Sequence, residues 1–259
     1  MNVQFAVKDR VVYVLEVNPR ASRTVPFVSK ATGRPLAKIA AKVMAGVKLD
    51  ELGIFDVPQP THMAVKESVL PFSKFAGVDT ILGPEMRSTG EVMGIATTTA
   101  LAFSKSQTAS GFRLPNHGRA FISVKDDDKR LAVQVARRLR NLGYSLVATG
   151  GTARVLETAR IPVDRINKVL EGSPHVVDAI RDGTVQLVIN TTQETKAIRD
   201  SYSIRRSALL ANIPYFTTIA AGLAIVDALE ARALMGKESA SVRSLQEWHQ
   251  RSKLAEGHN

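Results

Sequence analysis

Three oxygen-bearing side chains near the start of the chain have the types and spacing of a metal site. Glu16 and Asn18 are two positions apart in a β-rich run, so their side chains share one face of a strand. Gln4, in the preceding run, can lie on that face across a hairpin, and a carboxylate with two amides suits Mg²⁺ or Mn²⁺ bridging nucleotide phosphates. Arg20 and Arg23 follow, and they can neutralise a transferring phosphoryl group. The spacing alone favours the alternative, a half-buried strand pair whose polar residues face solvent.

A second group of polar residues follows two predicted strands further along the chain. Residues 149–152, Thr-Gly-Gly-Thr, lie between a strand and a helix, where backbone N–H groups and the helix dipole attract an anion. Residues 190–192, Asn-Thr-Thr, end another strand, and ligands bind at the carboxyl ends of strands in open parallel sheets. Lys129 and Lys168 can supply the positive charge. Threonine and asparagine also serve as ordinary helix caps, so the residues alone leave a phosphate site and a structural role equally open.

The predicted secondary structure that must position these residues follows one pattern before residue 119 and another after it. The sequence predicts a hairpin at 2–17, a helix at 36–45 and a strand at 64–70. It then predicts a stretch of turn formers at 77–94 and a short helix at 98–107. A chain that opens directly on a hairpin is expected to be part of something larger. Residues 110–118 have the composition of a linker.

From residue 119 onward, strands and helices alternate, which predicts a parallel sheet covered on both faces. The strands are predicted at 119–124, 145–149, 163–166, 185–190 and 214–218. The helices are predicted at 127–142, from 152, and at 174–181, 194–211 and 223–234. The two candidate phosphate segments lie at the ends of the second and fourth of these strands.

Composition excludes several classes of protein. The 259 residues are 44% hydrophobic and 23% charged, which is sufficient for a folded core. Without cysteine there is no disulfide framework, thiolate metal site or cysteine nucleophile. Apolar runs are too short to span a bilayer and the first residues lack a secretory core, so we expect a cytoplasmic protein without a membrane partner. The net charge of +11 is spread over both halves and aromatic residues make up 5%, which favours small phosphorylated ligands over nucleic acid.

Several long motifs occur in the same order as in one known family. The segments are EVNPRASRTVPFVSKATG, LPFSKFAGVD, LGPEMRSTGEVMG, HGRAFISVKDDDK, ATGGTARVL, NKVLEGSPHVVDAI and INTTQETKAIRDSYSIRRSAL. They resemble the C-terminal quarter of carbamoyl-phosphate synthetase large chains, over nearly the whole sequence except its last dozen residues. The resemblance implies an α/β fold: the truncated tail of an ATP-grasp domain with a connector at 1–111, then a methylglyoxal-synthase-like, doubly wound parallel sheet at 112–259.

For the N-terminal part, the resemblance implies a share in an ATP-dependent ligase. In the second ATP-grasp half of this family, carbamate is phosphorylated to carbamoyl phosphate for arginine and pyrimidine biosynthesis. Positions matching Gln4, Glu16 and Asn18 hold the divalent ions with ATP, and those matching Arg20 and Arg23 line the phosphate site. The family's glycine-rich phosphate loop and adenine pocket have no counterpart in this sequence, so we expect the chain alone to be inactive. The implied partners are the small glutaminase subunit and other large chains.

For the C-terminal part, the resemblance implies an allosteric domain that binds uridylate or inosinate. The nucleotide monophosphate is expected to be bound by Ser123, Lys129, Thr149, Gly151, Thr152, Lys168, Asn190 and Thr192. Gly150 departs from relatives that have a larger side chain there, which affects the expected effector preference. An ornithine site is implied at Glu67, Tyr215 and Thr217. The alternative is a free-standing methylglyoxal synthase that releases phosphate from dihydroxyacetone phosphate, but an aspartate general base is not evident beside 190–192.

Overall fold

The computed structural model describes residues 1–54, 59–70, 72, 90–192, 201–236 and 241–256. These residues form two compact units, of which the first comprises Met1–Met63 with Val242–Asn259 and the second Ala64–Ser241. The units do not coincide with the predicted division into 1–111 and 112–259. The reason is that the helix Thr99–Ala109 packs against the helix Ile219–Met235 of the second unit, while the C-terminal segment belongs to the first.

The described residues of the first unit form a hairpin and three α-helices. Its strands are β1 (Asn2–Lys8) and β2 (Val11–Asn18), paired antiparallel, and its helices are α1 (Thr24–Thr32), α2 (Leu36–Met44) and the C-terminal α9 (Leu245–Glu256). The predicted hairpin and the helix at 36–45 are confirmed. Trp248 of α9 is buried, with its ring 5.4 Å from that of His62. This contact joins the C-terminal helix to the N-terminal residues.

The second unit begins with a strand pair and a helix. β3 (Met63–Val69) pairs with β4 (Gly90–Ala96), and α3 (Thr99–Ala109) packs against β4. β3 and α3 confirm the predicted strand and short helix. β4 is a difference from the prediction, because Gly90 and Gly94 suggested turns in a segment that is extended from residue 90. Most of the predicted turn-rich stretch, residues 77–89, lies outside the described residues.

The rest of the second unit is a five-stranded parallel sheet. Its strands, in chain order, are β5 (Arg119–Ser123), β6 (Ser145–Ala148), β7 (Asp164–Arg165), β8 (Leu187–Asn190) and β9 (Tyr215–Phe216). The order across the sheet is β7-β6-β5-β8-β9. The chain therefore runs outward from β5 on one side and then crosses to β8, which makes the boundary between β5 and β8 the topological switch point.

Helices cover both faces of this sheet, as predicted. They are α4 (Lys129–Asn141), α5 (Gly150–Thr158), α6 (Val176–Arg181), α7 (Tyr202–Leu210) and α8 (Ile219–Met235). One core cluster gathers side chains of α4, α5 and α8, and a second gathers those of α6 and α7. Alternate residues of β5 supply both clusters, since Phe121 belongs to the second and Ile122 to the first. The predicted doubly wound α/β fold is confirmed.

The largest difference between a predicted helix boundary and the described structure is the start of α8. α8 begins at Ile219 rather than 223, because the Thr218 hydroxyl accepts a hydrogen bond from the Ala221 N–H at 3.2 Å and caps the helix. α7 is described only from Tyr202, and the predicted helical residues 194–200 lie outside the described part of the chain. Within the described residues, no helix has the length and apolar character needed to cross a membrane.

Candidate functional site

One cavity of the second unit contains every residue that was predicted to bind a nucleotide monophosphate. It has a volume of about 450 Å³ and lies at the carboxyl ends of β5, β6 and β8, beside the switch point. Its walls include the eight predicted residues Ser123, Lys129, Thr149, Gly151, Thr152, Lys168, Asn190 and Thr192. The structure thus brings together side chains separated by up to 69 positions of sequence, since 192 − 123 = 69.

The N-terminus of α5 forms one wall of this cavity. Thr149 is the N-cap residue, yet its side chain accepts no hydrogen bond from the first turn. Its hydroxyl instead lies 2.8 Å from that of Ser123. The first N–H groups of α5 are therefore not satisfied by their own cap, and the glycine at 151 leaves the backbone accessible from the cavity. This end of the helix offers N–H donors and a positive dipole to an anion.

Asn190 supplies the second feature that points to a ligand. It is only 6% exposed and lies in register with Ser123 on the neighbouring strand. Its amide nitrogen, Nδ2, is buried and has no hydrogen-bond partner among the described residues. Leaving a buried donor unpaired costs roughly 1–3 kcal/mol. A ligand oxygen in the cavity would remove that cost.

Two threonines of the cavity hold the loop that leads from β5 to α4. The Thr152 hydroxyl accepts a hydrogen bond from the Val124 N–H at 3.1 Å, and the Thr191 hydroxyl accepts one from the Lys125 N–H at 3.1 Å. Thr191 also donates its own N–H to the Ser123 carbonyl at 3.0 Å. These bonds fix the three strand ends relative to one another, so the cavity is preformed rather than assembled by a ligand.

The two predicted lysines differ in their surroundings. Lys129, the first residue of α4, forms an ion pair with Asp126, and this ammonium group lowers the pKa of the Asp126 carboxyl. Lys168 precedes a single helical turn at Val169–Glu171, and its backbone N–H donates to the Glu171 carboxylate at 2.8 Å. Both residues border the cavity. They give it two cationic side chains beside the α5 N-terminus.

Other residues of the cavity were not predicted from the sequence. The polar ones are Lys125, Asp126, Glu171, Thr191 and Ser201, and the apolar ones are Val124, Val169, Leu170 and Ile204. Thr191 lies inside the predicted 190–192 segment and was the residue most open to prediction. The acidic run at 126–128 reads as a favourable first turn for α4, and nothing in the sequence shows that one of its carboxylates reaches the cavity. Leu170 is 74% exposed and offers an apolar surface at the rim.

The predicted metal-binding residues come together on the hairpin of the first unit. Gln4 is paired with Glu16 across the two strands, and the Asn18 amide donates to the Glu16 carboxylate at 2.8 Å. Arg20 follows the strand and donates to the Ala21 carbonyl at 3.2 Å, and Arg23 is the N-cap residue of α1. Among the described residues there is no group of three histidine, aspartate or glutamate side chains that could hold a metal ion. A metal here would depend on one carboxylate and two amide oxygens.

The alternative interpretation of this hairpin, a half-buried strand pair, does not agree with the structure. Residues 11–17 of β2 are all exposed. The exposed side chains include large apolar ones, Phe5 at 58% and Leu15 at 63%. Polar and apolar faces of β2 are thus equally accessible.

The predicted ornithine residues lie on two sheets of the second unit. Glu67 of β3 accepts hydrogen bonds from Ser106 at 2.8 Å and from Gln107 at 2.6 Å, so both of its carboxylate oxygens are held by α3. Tyr215 lies on β9 and packs against the core cluster of α6 and α7, and Thr217 follows the same strand. Their assignment to a common ligand remains a prediction.

Comparisons with known proteins agree with the resemblance carried by the motifs. Residues 131–217 match the model of the MGS-like domain, and residues 1–52 match that of the carbamoyl-phosphate synthase L chain, ATP binding domain. Among solved structures, one described as the crystal structure of ForH covers 55% of this chain and 92% of its own, at a TM-score of 0.36 and 19% identity. A similarity of that size carries no argument about function.

Curated relatives match nearly the whole chain. The carbamoyl phosphate synthase large chain of Myxococcus xanthus is 56% identical over 96% of this chain and 23% of its own length. Those of Rhizobium meliloti and Pseudomonas aeruginosa are 57% and 56% identical, over 89% and 96% of this chain and 20% and 23% of their own. The chain thus spans between a fifth and a quarter of these relatives. It is similar, over almost its entire length, to a part of carbamoyl phosphate synthase large chains that includes an MGS-like domain.

Proposed function

We propose that this chain is part of a carbamoyl phosphate synthase large chain and that its second unit binds the phosphate of a nucleotide monophosphate, uridylate or inosinate, as a regulatory effector. The cavity at the ends of β5, β6 and β8 carries the proposal. It combines the uncapped N-terminus of α5, two lysines and the unpaired Nδ2 of Asn190. All three features suit a dianionic phosphate, which needs several donors and counter-charge within a preformed site.

The same relatives favour this proposal over a free-standing methylglyoxal synthase. Such an enzyme would correspond to the MGS-like residues alone, whereas the relatives named large chain match 96% of the sequence, the hairpin included. The aspartate that borders the cavity in the described part of the chain, Asp126, is engaged by Lys129 and held ionised by it. Its lowered pKa makes it a poor general base.

For the first unit, we propose a share in the phosphorylation of carbamate by ATP. Gln4, Glu16 and Asn18 present a carboxylate and two amide oxygens from one face of the hairpin, a donor set that fits Mg²⁺ or Mn²⁺. When bound, the ion would neutralise charge on the nucleotide phosphates. Arg20 and Arg23 would line the phosphate site and orient the transferring group, since positioning and charge stabilisation are what phosphoryl transfer requires. The proposed partners are a small glutaminase subunit and other large chains, and the proposed location is the cytoplasm.

Nucleotide titration of the 259-residue chain tests the regulatory proposal. We expect calorimetric binding of uridylate or inosinate, and much weaker binding of uridine and inosine, which lack the phosphate. Lys168→Ala should weaken binding about 10- to 100-fold, since a charge-assisted contact contributes roughly 1.5–3 kcal/mol. Lys66→Ala is the matched control, because Lys66 lies in the same unit but pairs with Glu91 at 3.6 Å, away from the cavity.

Two results would contradict the proposal. Equal affinity for nucleoside and nucleotide would mean that the phosphate is not recognised. Equal losses in Lys168→Ala and Lys66→Ala would mean that only the overall positive charge of the unit attracts the ligand.

A further inference from the structure

The loop between β5 and α4 holds a carboxylate at the mouth of the cavity. Its backbone is fixed on both sides, by Thr152 at Val124 and by Thr191 at Lys125. The next residue, Asp126, is therefore presented at a defined place. There its carboxylate forms an ion pair with the Lys129 ammonium group.

The two partners of this ion pair differ sharply in exposure. The Lys129 side chain is 26% exposed, whereas that of Asp126 is 90% exposed. The lysine thus belongs to the wall of the cavity, and the carboxylate reaches it from the solvent side. The Lys129 Nζ also lies next to the first turn of α5, only 3.8 Å from where a side chain on Gly151 would begin. The cation paired with Asp126 is the one that faces the anion-attracting end of α5.

We propose that Asp126 is an internal competitor of the ligand: its carboxylate occupies Lys129 in the empty cavity, and a bound phosphate must displace it. The inference rests on the proposed nucleotide site and adds how that site selects its ligands. A phosphate dianion interacts with Lys129 and with the α5 N–H groups together, so it can replace a single carboxylate. An anion with one charge gains less from the same groups and competes poorly.

Neutralising the carboxylate should therefore tighten binding. In the 259-residue chain, Asp126→Asn should bind uridylate or inosinate, and inorganic phosphate, about 2- to 5-fold more tightly than wild type, the range expected for one largely exposed charge pair. Asp128→Asn is the matched control, because it removes the same charge two residues away. Asp128 does not border the cavity, and its side chain makes no capping hydrogen bond to α4. We expect the control to change affinity by less than about twofold.

A double-mutant cycle tests whether the effect passes through Lys129. In a Lys129→Ala background, Asp126→Asn should no longer improve phosphate binding, because there is no cation left to release. A thermal unfolding scan accompanies each variant, and Asp126→Ser replaces Asp126→Asn if the latter does not fold. A merely structural role in the α4 N-terminus would lower stability without tightening binding.

The outcomes separate this inference from the proposed function. If wild type binds a nucleotide and Asp126→Asn binds it equally, or if Asp128→Asn gains as much, the competitor role is overturned while the nucleotide site stands. If inorganic phosphate binds more tightly to Asp126→Asn but nucleotides do not bind at all, the competitor role holds and the nucleotide proposal fails. Absence of binding by every variant to every anion overturns both.

Discussion

Among the glycines in the described part of the chain, Gly94 has the least room for a side chain. It lies on β4, directly against α3. A Cβ built on Gly94 would lie 2.6 Å from the Ser106 backbone nitrogen and closer still to the Ala102 carbonyl oxygen. Both atoms belong to the helix backbone, so no side-chain rotation can relieve the overlap. The closer of these two overlaps sets the movement, so Gly94→Ala requires α3 to move away from β4 by about 1.5 Å to reach an ordinary contact of about 3.5 Å.

The surroundings of α3 make that movement costly. Ala102 is fully buried, and α3 packs against α8 as well as against β4. A movement of α3 would therefore disturb its packing against α8. Overpacking of a well-packed core costs typically 1–3 kcal/mol and occasionally more, and two backbone overlaps at one site place Gly94→Ala at about 3 kcal/mol. The same shift would disturb Ser106, which hydrogen-bonds to Glu67.

Urea unfolding followed by circular dichroism measures this cost, with Gly90→Ala as the control. Gly90 lies on the same strand, but the nearest atoms to its added Cβ would be 3.6 Å away, an ordinary contact. We expect Gly90→Ala to leave the free energy of unfolding within about 0.5 kcal/mol of wild type. If Gly94→Ala lies within about 1 kcal/mol of Gly90→Ala, the close approach of β4 and α3 is not the reason for glycine at 94.

Two further predictions concern a buried tyrosine and the proposed metal site. Tyr144 is fully buried, its hydroxyl donates to the Pro115 carbonyl, and burial raises its pKa to about 12. Since the unfolded chain releases this proton near pH 10, stability should fall between pH 10 and 12. Tyr144→Phe should cost about 1 kcal/mol at pH 8 and show a shallower alkaline decline in urea midpoints, whereas equal slopes would contradict the assignment. Within a complete large chain, Glu16→Gln should nearly abolish carbamoyl phosphate formation, since the one carboxylate of the hairpin face is lost. Near-normal turnover at ordinary Mg²⁺ concentrations would refute its role.

Local patterns predicted most of the fold because the elements of the second unit obey simple rules. β5 and β8 are short apolar runs bounded by polar residues, and α4 has a strongly one-sided apolar face. β4 was not predicted because Gly94 looks like a turn residue. Glycine is required at 94 because α3, which begins five residues later, packs directly against β4 there. That contact depends on the tertiary structure, and the neighbouring sequence does not indicate it.

In the candidate site, too, some features could be predicted from the sequence and others depend on the tertiary structure. Parallel-strand topology places strand ends side by side, so the convergence of the 149–152 and 190–192 segments was predictable. The ion pair between Asp126 and Lys129 was not, because an acidic residue before a helix already has an adequate explanation in the helix dipole. The unpaired Nδ2 of Asn190 was equally invisible in the sequence, since pairing depends on which neighbours the fold supplies.

The hydroxyl groups of the cavity have a more constrained role than the sequence suggested. Thr152 and Thr191 each accept a hydrogen bond from a backbone N–H of the loop after β5. A hydroxyl that accepts in this way still carries its own proton, and that proton can only be donated elsewhere. With one lone pair engaged by the loop, each of these threonines still has a proton to donate to a further partner. The cavity thus presents hydroxyl, amide and ammonium donors, which suit an acceptor-rich phosphate.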